Sequence, residues 1–141
     1  MDKKLRPITI AVIALFLLNL ALAAGVVKLH AGYNGVKYTL YIGLNDKDSY
    51  TQLIPTEDAM EKVSAIALKH ADGFTLYQAQ GAYLDDAGVE TFENSLVLVF
   101  FDAEEAAIRA IMDEVIAELN QSSILVEREK VRYEFYEGAE K

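Results

Sequence analysis

The chain of 141 residues contains no cysteine, and this absence excludes several functions at once. Thiol nucleophiles, thiolate metal sites, disulfides and thioether lipid attachment all require that residue. Histidine is nearly as scarce: His30 falls in a non-periodic segment and His70 at the end of a helical pattern. Two such residues cannot form a multi-histidine metal site, so we predict no metal and no cofactor.

Catalytic motifs and positive charge are also missing. The sequence contains no nucleophile elbow, no Walker loop and no dinucleotide fingerprint, so no catalytic residue is predicted. Acidic residues number 22 against 13 lysines and arginines, for a net charge of −9. The first 27 residues carry a net +2, which leaves −11 on the rest of the chain. Such a domain repels nucleic acid phosphates, and we predict no nucleic acid partner.

A long apolar run lies near the N-terminus, within residues 1–27. Its length favours a retained single-pass membrane anchor. The triplet Ala21-Leu22-Ala23, however, is typical of a signal peptide cleavage site. Because basic residues precede the run, both interpretations place the remainder outside the cytoplasm, membrane-anchored or secreted. Residues 28–35 mix glycine with polar residues and are interpreted as a tether.

The rest of the chain shows two kinds of hydrophobic periodicity. Val36 to Leu44 alternates strictly, which predicts a strand with one buried face. Thr56 and Asp102 each precede an apolar pattern of helical spacing and are predicted helix N-caps. Two strand-like runs between these helices flank a polar turn at 85–88, and a last strand follows residue 123 and resumes alternation through Phe135.

The order β-α-β-β-α-β predicts an α+β fold of the ferredoxin-like, split βαβ type over residues 36–137, with 138–141 as a tail. Two helices would cover one face of a four-stranded antiparallel sheet and leave the other face free. That free face is partly apolar, so we expect a homo-oligomer, either a trimer or a dimer.

Polar residues interrupt the central strands and predict a ligand cleft. Polar groups on a central strand need partners, which are either each other or a ligand. A glycine within a strand also indicates a bulge or a close approach by another group. With the tyrosines of the free face, the candidate ligand-binding residues are Tyr41, Gln78, Gln80, Gly81, Tyr83, Glu93 and Ser95.

Several short motifs resemble a known group of proteins. Tyr38 to Asn45, Gly73-Phe-Thr, Gly81-Ala-Tyr83, Glu93 and the block 120–126 resemble small bacterial PII-like proteins. Within that group, the chain is most similar to an exported domain family of unknown function that is described as lipoprotein-type. The resemblance implies a ferredoxin-like fold, trimers, and small ligands bound between subunits.

These observations favour an extracytoplasmic, oligomeric, non-enzymatic domain that binds a small molecule or a protein partner. One alternative is a small enzyme of the dimeric α+β barrel kind, which requires an enclosed pocket with Glu93 or His70 as its titratable residue. A purely structural module of the cell envelope is the other alternative.

Overall fold

A computed structural model describes residues 12–23, 34–84 and 88–138 of the chain. The chain divides into two compact units, Gly35–Val131 and a second unit formed by residues 1–34 and 132–141. Most of the predicted leader and tether, the turn residues 85–87 and the end of the tail lie outside the described residues. Their predicted roles therefore stay predictions.

The unit formed by the two chain ends contains helix α1 at residues 12–23, whose apolar side chains are exposed. None of the helices in the described part of the chain is both long and apolar enough to cross a membrane. Asn34 joins the C-terminal segment through two hydrogen bonds: its Nδ2 donates to the Tyr133 carbonyl at 2.6 Å, and its Oδ1 accepts from the Tyr133 N–H at 2.9 Å.

The unit Gly35–Val131 is built on one open, four-stranded antiparallel sheet, which confirms the predicted α+β class. The strand order is β2-β3-β1-β4. The elements, in chain order, are β1 (Gly35–Gly43), α2 (Thr56–His70), β2 (Thr75–Leu84), β3 (Glu90–Phe101), α3 (Glu105–Glu118) and β4 (Leu125–Val131).

Alternation along the two central strands decides which sheet face is covered. On β1 and β3, side chains of one parity are fully buried against the inner faces of α2 and α3, as is typical of strands with one face on a core. Phe100, Leu40 and Ile42 are the largest of them, and Val63 and Ile111 meet them from the helices. Fully burying such a side chain stabilises the fold by about 1.5–3 kcal/mol.

Three local predictions were wrong, each for a geometric reason. Helix α2 begins at Thr56 itself, because Pro55 occupies the cap position with its φ near −53°. Asp102 lies in the left-handed region at φ 60° and turns the chain, so α3 begins only at Glu105, with Glu104 at its cap. Strand β4 ends at Val131, which pairs with Gly35, the first residue of β1, and residues 132–138 do not continue the strand.

Candidate functional site

The sheet face opposite the helices carries a groove of about 830 Å³. Its floor comes from β1, β2 and β3, and its wall comes from the β1–α2 and α3–β4 loops. The lining residues are Tyr41, Gly43, Asn45, Asp46, Lys47, Tyr50, Tyr77, Ala79, Gln80, Gly81, Tyr83, Leu84, Glu93, Ser95, Val97, Gln121, Ser122, Ser123 and Leu125.

Glu93 of β3 lies flat across this floor because glycines flank it on both neighbouring strands. Gly81 of β2 is its direct cross-strand partner, and Gly43 of β1 lies diagonally across the ladder. A Cβ built on Gly43 would stand 2.4 Å from Oε2 and 2.7 Å from Oε1 of Glu93. The carboxylate therefore occupies the space that any larger residue at position 43 would fill.

The position of Glu93 changes its acidity. Burial raises the pKa of the Glu93 carboxyl above its ordinary value, and a hydrogen bond from the backbone N–H of Asn45 partly offsets that effect. A half-buried carboxylate with one fixed donor is well suited to bind a cation or to exchange a proton with a ligand.

Three tyrosines from two strands line the same groove as the carboxylate. Tyr41 and Tyr77 pair with Val97 from opposite sides, so they lie about 10 Å apart across β3. Tyr83 stands farther along β2, opposite Thr91. All three are more than one third exposed and thus present ring surface to the groove, where an organic cation or a flat ring can pack.

The first part of the loop wall is held by an aspartate turn. Asp46 Oδ1 accepts hydrogen bonds from the N–H of Asp48 at 3.0 Å and of Ser49 at 2.9 Å, and Asn120 Nδ2 donates to its Oδ2 at 2.7 Å. The amide of Asn120, followed by these backbone donors, lowers the pKa of Asp46 to about 2. Asp46 is therefore ionised at neutral pH, and its carboxylate holds the loop through these hydrogen bonds.

Gln121 forms the second connection between the two loops. It is 7% exposed, and its Nε2 donates to the Asn45 carbonyl at 2.9 Å and to the Leu119 carbonyl at 3.1 Å. The main chain of Asn45 is thus held at its carbonyl by the loop after α3.

The groove brings together six of the seven predicted ligand-binding residues: Tyr41, Gln80, Gly81, Tyr83, Glu93 and Ser95. Gln78 does not line it. It pairs with Leu96 and donates its Nε2 to Met60 Sδ at 3.1 Å, on the side of α2. A ligand role for all seven stays a prediction.

Sequence reasoning missed the residues that act through loops and backbone. Asn45 and Gln121 carry no recognisable motif, since one contributes a main-chain N–H and the other binds a main-chain carbonyl. Gly43 carries no motif either, and nothing in the sequence around it indicates the contact with Glu93. The one available signal was that Gly43, like Gly81, is a glycine within a strand, which indicates a close approach by another group.

The charges in the groove limit which ligands it can take. Glu93 and Asp46 are its acids, and Lys47 is the single basic residue among the described residues that line it. No cluster of three or more potential metal ligands occurs in the described parts of the chain. His70, the other titratable candidate, pairs through Nε2 with Glu114 Oε1 of α3 at 2.6 Å and does not line the groove.

The fold and the site define an α+β domain with a tyrosine-lined, acidic groove on an open sheet face. The chain belongs to the family described as protein of unknown function, DUF3574, whose model matches residues 37–135. This confirms the unknown-function part of the resemblance, whereas the PII-like and lipoprotein-type parts stay predictions. No curated protein matches the chain significantly.

Two solved structures of a phage enzyme share the fold. Phage SAM lyase in complex with S-methyl-5'-thioadenosine has a TM-score of 0.56 at 23% identity, covering 70% of this chain and 83% of the other. The apo phage SAM lyase has a TM-score of 0.55 at 21% identity, covering 73% and 93%. At such identities the likeness shows the fold alone.

Proposed function

We propose that the groove binds a small organic cation that carries a flat ring, and that Glu93 provides the anionic contact. The observation that carries the proposal is the Glu93 carboxylate lying on the bare backbone of Gly43, between tyrosine side chains. Aromatic faces attract cations, and a partly desolvated carboxylate adds a charge pair. Adenosine-type sulfonium compounds fit this description, and the structural likeness to phage SAM lyase supports choosing them as the first probes.

The charges of the groove argue against nucleotide binding. Phosphate groups are bound by basic side chains or by clusters of backbone N–H groups. In the described lining, Lys47 is accompanied by two acids, so ATP should bind far more weakly than a sulfonium nucleoside. Nucleotide binding of the PII kind, which the sequence resemblance implies, is therefore not part of the proposal.

The proposal also includes the fold type, the location and the oligomeric state that the sequence predicts for this domain. The domain would be ferredoxin-like, extracytoplasmic, and joined to the membrane if its leader is retained. Homo-oligomerisation has additional support from the turn end of the β2–β3 hairpin, where Leu84 and Phe92 are 71% and 70% exposed. Apolar side chains at that level of exposure favour burial against another protein surface.

A matched pair of ligands tests the binding proposal. S-adenosylmethionine and S-adenosylhomocysteine differ by one methyl group and the sulfonium charge, so their affinity ratio isolates the charge contact. We expect the sulfonium to bind about 5-fold to 10-fold tighter by calorimetry, since a partly exposed ion pair contributes about 1 kcal/mol. Glu93→Gln keeps the shape of the side chain and should bring that ratio to about 1.

Ser95→Ala is the control, because it changes a lining residue without altering charge and should preserve the ratio. Failure of both ligands to bind at millimolar concentration would contradict the proposal. So would a ratio that Glu93→Gln leaves unchanged.

A second candidate function is a lyase-type enzyme acting on a sulfonium nucleoside. The raised pKa of Glu93 favours it, because a carboxyl that titrates nearer to neutral pH can take part in proton transfer. Release of S-methyl-5'-thioadenosine from S-adenosylmethionine, followed by chromatography, decides between the two functions. Turnover that disappears in Glu93→Gln favours the enzyme, whereas binding without turnover favours the binding domain.

A further inference from the structure

Strand β2 forms one edge of the sheet, and beyond β3 it has no backbone hydrogen-bond partner within the described parts of the chain. It is ten residues long, Thr75–Leu84, and contains neither a charged residue nor proline. Strand β4, at the opposite edge, carries four charged residues among its seven. Charged side chains on an edge strand discourage another chain from pairing with it. Strand β2 lacks this protection and is therefore the edge that is open to a further strand.

The sequence of β2 reads almost the same in both directions. The stretch from Leu76 to Leu84 is LYQAQGAYL, with Gln80 at its centre. Leucines end this stretch, tyrosines stand one position inside them, and the residues between are small or uncharged on both sides of the centre. When two copies of such a strand pair in antiparallel fashion, the first half of one lies opposite the second half of the other. A second copy of β2 therefore matches this edge residue by residue.

We propose that two copies of the chain join along their β2 strands, antiparallel and about a two-fold axis at Gln80. In this register Leu76 lies opposite Leu84 of the partner subunit, and Tyr77 lies opposite Tyr83 of the partner subunit. A two-fold axis brings the same surface of both copies into contact, which is the commonest arrangement of soluble homo-oligomers. The inference rests on the oligomerisation included in the proposed function and names its contact surface, but it does not depend on the ligand.

Exposure and charge both favour this pairing. Leu84 is 71% exposed in the single chain, and Leu76 of the partner subunit would cover it. Aromatic pairs across neighbouring strands stabilise a sheet, and the register forms two of them. The chain carries a net charge of −9, so two copies repel each other wherever their acidic surfaces meet. An edge strand without charged residues allows them to approach.

The register also decides how the two grooves are related. Residues directly opposite each other on paired strands point to the same side of the sheet. Tyr77 and Tyr83 both line the groove, so pairing about Gln80 aligns the groove face of one copy with that of the other. A shift by one residue would instead align the groove face with the face that the helices cover. The partner subunit thus contributes a tyrosine ring to the β2 side of each groove.

Single cysteines test the register, because the chain has no cysteine of its own. The full chain carrying Gln80→Cys, in mild detergent, should form a disulfide-linked dimer on gentle oxidation. Facing Cβ atoms lie about 4.5–5.5 Å apart, and a small adjustment brings them to disulfide distance. Non-reducing electrophoresis measures the linked fraction.

Gln78→Cys and Ala82→Cys are matched controls on the same strand. Neither variant should link to itself, because the two copies of each position lie about 13 Å apart in this register. Coexpression of the two variants should give a linked heterodimer, since position 78 of one copy faces position 82 of the other. This combination of results is specific to the axis at Gln80.

Charges placed on the axis give a second, independent measurement. Gln80→Lys and Gln80→Glu each set two like charges opposite each other, which destabilises a strand pair. We expect the dissociation constant of the dimer, measured by sedimentation, to rise about 5-fold to 10-fold in either variant, and a mixture of the two to recover wild-type association. General repulsion between acidic proteins predicts a different result, because the lysine would then strengthen association and only the glutamate would weaken it.

Several results would overturn the β2 register. One is a wild-type oligomer whose cysteine variants link neither at position 80 nor in the coexpressed pair, and another is a variant at position 78 or 82 that links to itself. A Gln80→Lys protein that associates more tightly than wild type would also overturn it. A wild-type monomer at high micromolar concentration would overturn it together with the oligomerisation on which it rests, whereas binding of the sulfonium probe is measured separately.

Discussion

Replacing Gly43 by alanine should displace the Glu93 carboxylate without unfolding the domain. The new Cβ would stand 2.4 Å from Oε2 of Glu93, and ordinary contact begins near 3.4 Å. The carboxylate must therefore move by about 1 Å or more, and it can do so because it is the far end of a flexible side chain. The alanine backbone itself should be accommodated, since Gly43 is not among the described residues with positive φ.

The effect on stability should be small because two contributions oppose each other. Alanine in place of a strand glycine stabilises a fold by about 0.4–1 kcal/mol when its backbone conformation is compatible. Loss of the hydrogen bond from Asn45 costs about 0.5–1.5 kcal/mol, and less where water can replace it. We expect the free energy of unfolding to change by less than about 1 kcal/mol in denaturant titration.

The effect on Glu93 should be large. A carboxylate pushed off the sheet enters solvent, so its pKa should fall toward the ordinary value, and the preference for a sulfonium ligand should shrink with it. Gly81→Ala is the matched control on the opposite strand, where the new Cβ would meet Ser95 Oγ at 3.3 Å and Glu93 Cγ at 3.4 Å. An unchanged Glu93 pKa in Gly43→Ala, or an equal change in Gly81→Ala, would refute the reasoning.

Two further predictions concern the loop wall and the assembly. Because hydrogen bonds lower the pKa of Asp46 to about 2 from 3.8, this group contributes stability above pH 4 that is lost as the pH falls toward 2. Asp46→Asn should flatten the acid limb of a melting-temperature profile between pH 2 and 5, and an unchanged limb would contradict this. The full chain in mild detergent should sediment as a dimer or trimer, and Phe92→Lys should shift it toward monomer; a wild-type monomer at high micromolar concentration would remove the case for assembly.

The sheet could be predicted because its signals are local and periodic. Alternation along β1 predicted one buried face, and Leu40 and Ile42 on that face are fully buried in the structure. The apolar patterns of helical spacing likewise predicted two helices, whose Val63 and Ile111 are buried. The predicted boundaries were wrong, since Asp102 adopts a left-handed backbone that a capping motif does not reveal, and β4 ends at Val131, opposite the first residue of β1.

The site could be predicted only where side chains themselves carry the chemistry. Glu93, Tyr41 and Tyr83 are conspicuous because polar or aromatic residues interrupt apolar strands. Gln78 lies outside the groove, and the sequence did not indicate which side of the sheet its side chain would face. Asn45 and Gln121 could not be found at all, since their contributions depend on a main-chain N–H and a main-chain carbonyl that meet only in the folded chain.

Gly43→Ala tests the cause of the raised pKa of Glu93. The alanine moves the carboxylate out of its buried position, so the pKa should fall. General loosening of the domain would also expose Glu93 and lower its pKa, but it would reduce the free energy of unfolding at the same time. A lowered pKa at nearly unchanged stability therefore requires a carboxylate held in place by the bare backbone of β1. Such a carboxylate is preorganised for a ligand, because little ordering remains to be done when the ligand binds.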